Sequence, residues 1–264
     1  MNSNDWEIPN FSETSFSEKE NTYCLCIPVI NEGNKLLNEL GEIKAQNLHN
    51  EIDIIICDGG SDDGSTEPKR LRELGVNTLL VKKDTGKLSA QLRMGYSYAL
   101  KEGYQGIVTI DGNNKDNVDA ISDFIEALNQ GFDLVQGSRY IEGGKAINTP
   151  KIRHIAVKLI HIPIISFASG FNYTDTTNGY RAYSRNFLLD ERVKPFRKVF
   201  DTYELLAYLS VRAPELGFKT TEIPVTREYP KTGKTPTKIS FLKGNLDLLK
   251  ILFNILLNKY DPER

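Results

Sequence analysis

Along the first half of the chain, short continuous apolar runs alternate with segments whose apolar positions recur at helical spacing. Five runs predict strands: Tyr23–Val29, Ile52–Cys57, Thr78–Val81, Gly106–Ile110 and Phe132–Gln136. Strands that are apolar on both faces belong in a parallel sheet covered on both sides. Leu88–Glu102 places Leu88, Leu92, Gly95, Tyr96 and Ala99 on one helix face, and Asp119–Gln130 does so with Ile121, Phe124, Ile125 and Leu128. Repeated strand–helix–strand units predict right-handed crossovers and a doubly wound α/β sheet. Such sheets bind ligands at the carboxyl ends of their strands.

The second half is less regular. Ile152–Phe167 is apolar with Arg153, His154, Lys158 and His161 dispersed through it. Tyr203–Leu216 reads as a helix and Lys219–Thr226 alternates like a strand. Glu228–Ile239, rich in Lys, Thr, Pro and Gly, reads as a mobile loop. Phe241–Tyr260 is a helix with one narrow polar stripe: Lys243, Asp247, Lys250, Asn254 and Asn258. The expected organisation is a flexible polar tail over 1–21, a single α/β domain over 22–239, and a C-terminal amphipathic helix over 240–264. That helix is expected to dock on a membrane, pair with a second copy in a homodimer, or pack into the core. No stretch reads as the ~18 apolar residues of a membrane span.

Composition narrows the class. A chain of 264 residues, 39% hydrophobic, suits one large domain with a sizeable core. A formal net charge of −2 without an arginine-rich tract argues against a nucleic-acid partner. Cys24, Cys26 and Cys57 fall in apolar strands and read as buried thiols, compatible with a reducing cytoplasm. The polar first twenty residues lack the pattern of a signal peptide. The expected location is cytoplasmic, or peripheral at the inner face of the membrane.

Four predicted strand ends carry polar residues, and the sheet delivers them to one edge. They are Pro28-Val29-Ile30-Asn31-Glu32-Gly33, Asp58-Gly59-Gly60-Ser61-Asp62-Asp63-Gly64-Ser65, Asp111-Gly112-Asn113-Asn114-Lys115-Asp116 and Gln136-Gly137-Ser138-Arg139-Tyr140. Each alone is an ordinary turn signal. Their convergence is what a ligand crevice needs.

The order Ile-Pro-x-x-Asn-Glu, Asp-x-Gly-Ser-x-Asp-Gly, Asp-x-Asn and Gly-Ser-Arg-Tyr resembles the inverting family 2 glycosyltransferases. These have the GT-A fold, a Rossmann-like single domain with a mostly parallel central sheet. Asp175-Thr-Thr-Asn-Gly-Tyr-Arg-Ala-Tyr-Ser-Arg185 and the basic stretch Lys234–Lys243 are most similar to the dolichyl-phosphate mannose synthase and polyprenyl-phosphate glycosyltransferase branch. The resemblance covers about residues 22–245 and implies roles. Asp58 would accept a hydrogen bond from the base of a nucleotide-diphosphate sugar donor. Pro28, Asn31 and Glu32 would line base and ribose, while Lys87 and Arg93 close over the nucleotide. Asp111 and Asn113 would hold Mg²⁺ or Mn²⁺ on the diphosphate, where a cation offsets charge on the leaving group. Arg139, Arg181 and Lys234 would meet phosphate, and Asp175 would orient Arg181 or touch the sugar. Glu204, with Asp201 as its rival, would be the general base for a hydroxyl acceptor.

Here the chain departs from the pattern. The second acidic position is Asn113, and a position often held by Gln is Lys115. Lys115 could partly replace the cation, Asp116 could swing in as a ligand, or both simply start the next helix with Asp116 as N-cap. Arg139 and Arg181 also read as structural ion pairs, and His154 and His161 as packing or helix-surface residues. The implied reaction is transfer from a UDP- or GDP-sugar to a polyprenyl phosphate. Three alternatives stand beside it: a hydroxyl acceptor in a surface-polysaccharide precursor, a non-catalytic nucleotide-sugar-binding protein, and a nucleotidyltransferase. The last would want a Gly-rich, Arg-containing loop after the first strand, and Pro28–Gly33 is not one.

Overall fold

An eight-stranded sheet takes in all five apolar runs that predicted strands. The computed structural model describes residues 5–231 and 241–262, the side chains of 241–245 excepted. Its strands are β1 (Phe11–Ser15), β2 (Tyr23–Val29), β3 (Asp53–Asp58), β4 (Thr78–Lys82), β5 (Gly106–Thr109), β6 (Leu134–Ser138), β8 (Arg181–Ser184) and β9 (Thr220–Pro224). They lie in the order β1-β4-β3-β2-β5-β8-β6-β9. The run β4-β3-β2-β5 is parallel, as is β6 with β9. Two short strands, β7 (Lys145–Ile147) and β10 (Thr226–Glu228), form a separate parallel pair.

Alternation along β2 divides the core. Cys24 and Cys26 face a layer built with α3 (Leu88–Lys101), α8 (Glu204–Glu215) and α9 (Phe241–Leu256). Leu25, Ile27 and Val29 face α1 (Asn34–Ala45) and α4 (Ala120–Asn129). Burial on both faces explains why these strands are apolar throughout rather than alternating. Gly95 lets α3 lie close on the sheet, since a Cβ there would fall 2.3 Å from Cys57 Sγ.

Three expectations change. The tail expected to be flexible over 1–21 is docked from residue 5: β1 pairs antiparallel with β4, and the Trp6 ring lies 4.2 Å from Phe196. The exposed edge of β4 is a template for such pairing. Second, β8 is antiparallel between β5 and β6, in a region that showed no strand pattern. Third, a continuous helix spans Lys151–Ser169, long and apolar enough by those measures to cross a membrane. It consists of α5 (Lys151–Ala156), a π-helical turn (Val157–His161) and α6 (Ile162–Ser169). Val157, Ile165 and Ser169 are buried and α6 packs on α8 and α9, so the helix lies along the domain. Its outer side is an apolar stripe of Ile152, Ile155, Leu159, Ile160 and Phe167, the last 84% exposed.

On α9, Ile251, Leu252 and Ile255 enter the core, while Leu246, Leu249, Phe253 and Leu256 stay exposed. The apolar width read from sequence is therefore two faces, one inward and one outward. Most of the basic stretch before α9, Lys234 included, lies outside the described residues.

Candidate active site

The loops after β2 and β3 are laced together by short polar bonds. Asn31 N donates to Ser61 Oγ at 3.0 Å, Asp62 N to Asn31 Oδ1 at 2.9 Å, and Gly33 N to Asp63 Oδ2 at 2.8 Å. Asn31 (φ 49°) and Gly33 (φ 56°) both take left-handed backbone, which Asn and Gly tolerate best. Gln91 Nε2, from α3, reaches Val29 O and Cys57 O and fixes the two strand ends. Pro28 lies within β2 beside Cys57. Glu32 pairs with Lys35 at the surface, 3.2 Å apart. Asp58, expected to meet the base directly, is turned onto its own loop. Its Oδ1 accepts from Gly60 N, Ser61 N and Ser61 Oγ, and its Oδ2 from Thr66 Oγ1. It shapes the loop by the same means as an Asx-turn.

Asp111 stands at the end of β5 with its side chain 27% exposed. Gly179 packs against it so closely that a Cβ would fall 2.5 Å from Asp111 Oδ1, which explains a glycine in the segment before β8. The partner of Asp111 is Arg227 on β10, a residue the sequence reading passed over. Its Nη2 is 3.0 Å from Asp111 Oδ2, and its Nη1 donates to buried Asp116. Asp116 is therefore no helix cap, since α4 begins at Ala120 and Asp116 instead forms a β-bridge with Arg227. Burial pushes its carboxyl up to about 6 against the pull of Arg227. Asp116 and Asp111 hold the guanidinium well above its usual value despite burial. No sequence periodicity links residues 111 and 227; only a basic residue two positions before an aromatic, after a predicted strand, hinted at it.

Lys115 lies over the Tyr229 ring at 5.1 Å, and the same ring meets Arg227 at 5.8 Å and Arg153 at 5.9 Å. Burial and Arg227 lower the Lys115 ammonium to about 8. Glu39 Oε2 accepts from Asn114 N at 2.6 Å and anchors this loop from below. Asn113 is half-buried, and its Oδ1 has no partner among the described residues.

The arginines expected to hold phosphate are engaged elsewhere. Arg139 and Asp175 form a closed pair, Nε to Oδ2 at 2.6 Å and Nη2 to Oδ1 at 2.9 Å, with both side chains at most 1% exposed. Burial raises the Asp175 carboxyl, but bonding to Arg139 more than offsets this and leaves it below the usual range. Asp175 thus orients Arg139 rather than Arg181. Arg181 is fully buried and donates to Asn178 O, Leu206 O, Thr176 O and Ser210 Oγ, which makes it a framework residue. His161, on the π-turn, sits 2.7 Å from Thr176 Oγ1. Burial, aided by Arg181, pushes its imidazole down to about 4.

Arg93 is likewise structural: its Nε donates to Phe200 O and its Nη1 to Glu7 O, tying the N-terminal segment to the loop before α8. Lys87 N donates to Asp201 O, and its ammonium lies 5.6 Å from the Tyr203 ring. Glu204 binds Thr202 N and Oγ1 with its two oxygens, which leaves Asp201 the more exposed carboxylate.

Among the described residues, those around Asp111 offer a divalent cation little carboxylate charge. Asp111 already faces a guanidinium, the next position offers a neutral amide, and Lys115 follows. Among the described residues no group of three His, Cys, Asp or Glu stands close enough to hold a metal. Hard cations prefer several oxygen ligands with carboxylate charge.

The family model for glycosyl transferase family 2 matches residues 24–190. A polyprenol monophosphomannose synthase of Mycolicibacterium smegmatis is 28% identical over 203 residues, covering 76% of this chain and 75% of that one. An undecaprenyl-phosphate mannosyltransferase of Micrococcus luteus is 29% identical over 216 residues, covering 76% and 81%. Among solved structures, glucosyl-3-phosphoglycerate synthase of Mycobacterium tuberculosis, crystallised with Mn²⁺, UDP and phosphoglyceric acid, matches with TM-score 0.62 at 12% identity, covering 90% and 77%. The same enzyme has also been solved with Mg²⁺ and UDP. At that identity the likeness speaks for the fold alone. With a GT-A sheet and a family match across most of that sheet, the chain belongs to glycosyl transferase family 2 and is a glycosyltransferase.

Proposed function

We propose that the chain transfers a hexose, with inversion, from a UDP- or GDP-sugar to a polyprenyl phosphate at a membrane surface. The observation that carries this reading is the two-sided helix Lys151–Ser169. Its outer side is the apolar stripe from Ile152 to Phe167. From the same helix, Arg153 reaches the Tyr229 ring shared with Arg227, and Lys158 lies 5.2 Å from the Tyr140 ring. An acceptor with a lipid tail and a phosphate head needs both sides at once. Large exposed apolar patches mark interaction surfaces, and α9 also exposes Leu249 and Phe253. The names of the mannosyltransferase relatives point to the same acceptor class.

In this reading the loops after β2 and β3 frame the nucleotide, with Asn31, Glu32 and the Asp58-shaped turn at its base end. Lys87 and Asp201 stand at the loop that closes over it. An acceptor phosphate oxygen attacks the anomeric carbon opposite the diphosphate. The bond from that carbon to the diphosphate breaks, and the nucleoside diphosphate leaves with the electron pair. The acceptor is already ionised, so no strong base is required. This agrees with a Glu204 whose oxygens both serve Thr202.

The test is transfer of label from UDP- and GDP-hexoses in detergent micelles, with undecaprenyl phosphate or a soluble glycan as acceptor. Label in the organic phase, acid-labile and dependent on the lipid phosphate, is expected. Label only in the soluble glycan would replace this reading with a hydroxyl acceptor.

A further inference from the structure

We infer that the donor's diphosphate is held by two cations of the chain itself, Lys115 and Arg227, so that donor binding does not depend on a divalent metal. The inference rests on the donor site proposed above. It starts from the disagreement between an Asp-x-Asp-like motif and the residues that fill it here. Along the loop after β5, Asp111, Asn113 and Lys115 supply one carboxylate, one amide and one ammonium. A dication set between Asp111 and Asn113 would have no second carboxylate to balance it. It would also face the Arg227 guanidinium, whose Nη2 is 3.0 Å from Asp111 Oδ2.

The cations are built in rather than incidental. The bridge between Asp116 and Arg227 fixes β10 against the loop, and Glu228 N donates to Lys115 O at 2.8 Å. Glu39 grips Asn114 N at the neighbouring position. Lys115 and Arg227, far apart in the sequence, thus share one ring, that of Tyr229. Arg153 adds a third cation to that ring, and Asp111, Asp116, Glu39 and Glu32 supply the carboxylates around the loop. Fixed cations in a partly desolvated loop are what a departing diphosphate needs, and guanidinium forks match phosphate oxygens. Asn113 Oδ1, buried and without a partner among the described residues, remains an acceptor for a donor hydroxyl.

Calorimetry with UDP and GDP, in EDTA and in excess Mn²⁺, tests this, with Mn²⁺ paramagnetic resonance recording whether the ion binds at all. For the wild-type chain, the better nucleotide is expected to bind within about threefold in the two conditions, since no metal contact is lost. Lys115→Gln should weaken it by about tenfold, the worth of one charge-assisted contact, and Lys115→Arg should restore most of that. The double variant Asn113→Asp, Lys115→Gln should acquire Mn²⁺ dependence and an immobilised Mn²⁺ signal. Wild-type binding that requires Mn²⁺, or a Lys115→Gln variant that binds as tightly as wild type, overturns the inference while leaving the donor site standing. Binding of neither nucleotide under any condition overturns both.

Discussion

Two arginines stand at the carboxyl edge of the sheet, each against aspartate, in opposite circumstances. Arg139 meets Asp175 through two parallel bonds with both side chains sealed from solvent. Arg227 also lies buried, but it is shared between Asp116, which is sealed, and Asp111, which is 27% exposed. The closed pair has each partner's charge matched and each bond satisfied, so it has nothing to offer a ligand. The open triad keeps one carboxylate edge within reach of solvent, beside a guanidinium that is itself 7% exposed. Identical side-chain chemistry is sealed in one pair and reached by solvent through one partner in the other.

The first way to break the comparison is Asp175→Ala. Removing one partner of a buried ion pair leaves an uncompensated charge and costs about 3–5 kcal/mol. Denaturant unfolding should register that loss, whereas a loss below about 1 kcal/mol, within the range of a surface pair, would show the closed pair is not framework. Arg227→Gln comes next. It should reduce turnover by about 10²–10³-fold, or about 2.7–4 kcal/mol, the scale of losing a preorganised donor to developing charge. Stability should fall less than in Asp175→Ala. Steady-state kinetics beside unfolding would expose a purely structural Arg227 by an unchanged turnover number.

Sequence made the open site half legible. Asp111 announced itself because it ends an apolar strand, and strand ends of a parallel sheet share an edge. Arg227 did not, because its partner lies 116 residues away and β10 is only three residues long. Sequence left Arg139 and Arg181 open between phosphate contact and a structural ion pair: residue type fixes what a guanidinium can bind, while burial decides which partners it meets in the fold. Arg181 went to carbonyls because β8 inserts antiparallel between β5 and β6, a topology that no periodicity in Arg181–Ser184 reveals. The parallel half was readable because burial on both faces leaves an unbroken apolar run. The Lys151–Ser169 helix was obscured because Arg153, His154, Lys158 and His161 interrupt its pattern. The π-turn they occupy in part shows why, since an added residue shifts the helical phase.

Protons sharpen the contrast on the closed side. His161 is held at about 4 in the fold, against about 6.5 in a free chain. As pH falls from about 6.5 to about 4, the unfolded chain takes a proton that the fold refuses, so stability declines across that window and levels off below it. The loss amounts to about 2–3 kcal/mol. Asp175 behaves oppositely: its depressed value contributes stability that persists above the ordinary carboxylate range and is lost only as pH drops through its lower folded value. The two windows are therefore separable. His161→Gln, which keeps a partner for Thr176 without titrating, should remove most of the decline between pH 6.5 and 4 in thermal unfolding. A variant with the wild-type slope would place the titration on another group.

The smallest expected effect tests the helix that flanks both arginine sites. Lys158 shares the Tyr140 ring with Arg139, and Arg153 shares the Tyr229 ring with Arg227, so one helix borders the closed pair and the open triad together. Its outer stripe is largely uncovered: Leu159 is 73% exposed, while Val157, two residues earlier, is 5% exposed. If the stripe meets lipid, Leu159→Ala should weaken binding to vesicles by about 1–2 kcal/mol, the value of the apolar surface removed. It should leave folding stability within about 0.5 kcal/mol, as surface changes do. Val157→Ala should do the reverse, with a cavity cost of about 0.5–1.5 kcal/mol or more in unfolding and unchanged vesicle affinity. Flotation with undecaprenyl phosphate in the vesicles separates the two. Equal flotation of wild type and Leu159→Ala would detach the stripe from lipid and leave Arg153 and Lys158 serving an acceptor that arrives from water.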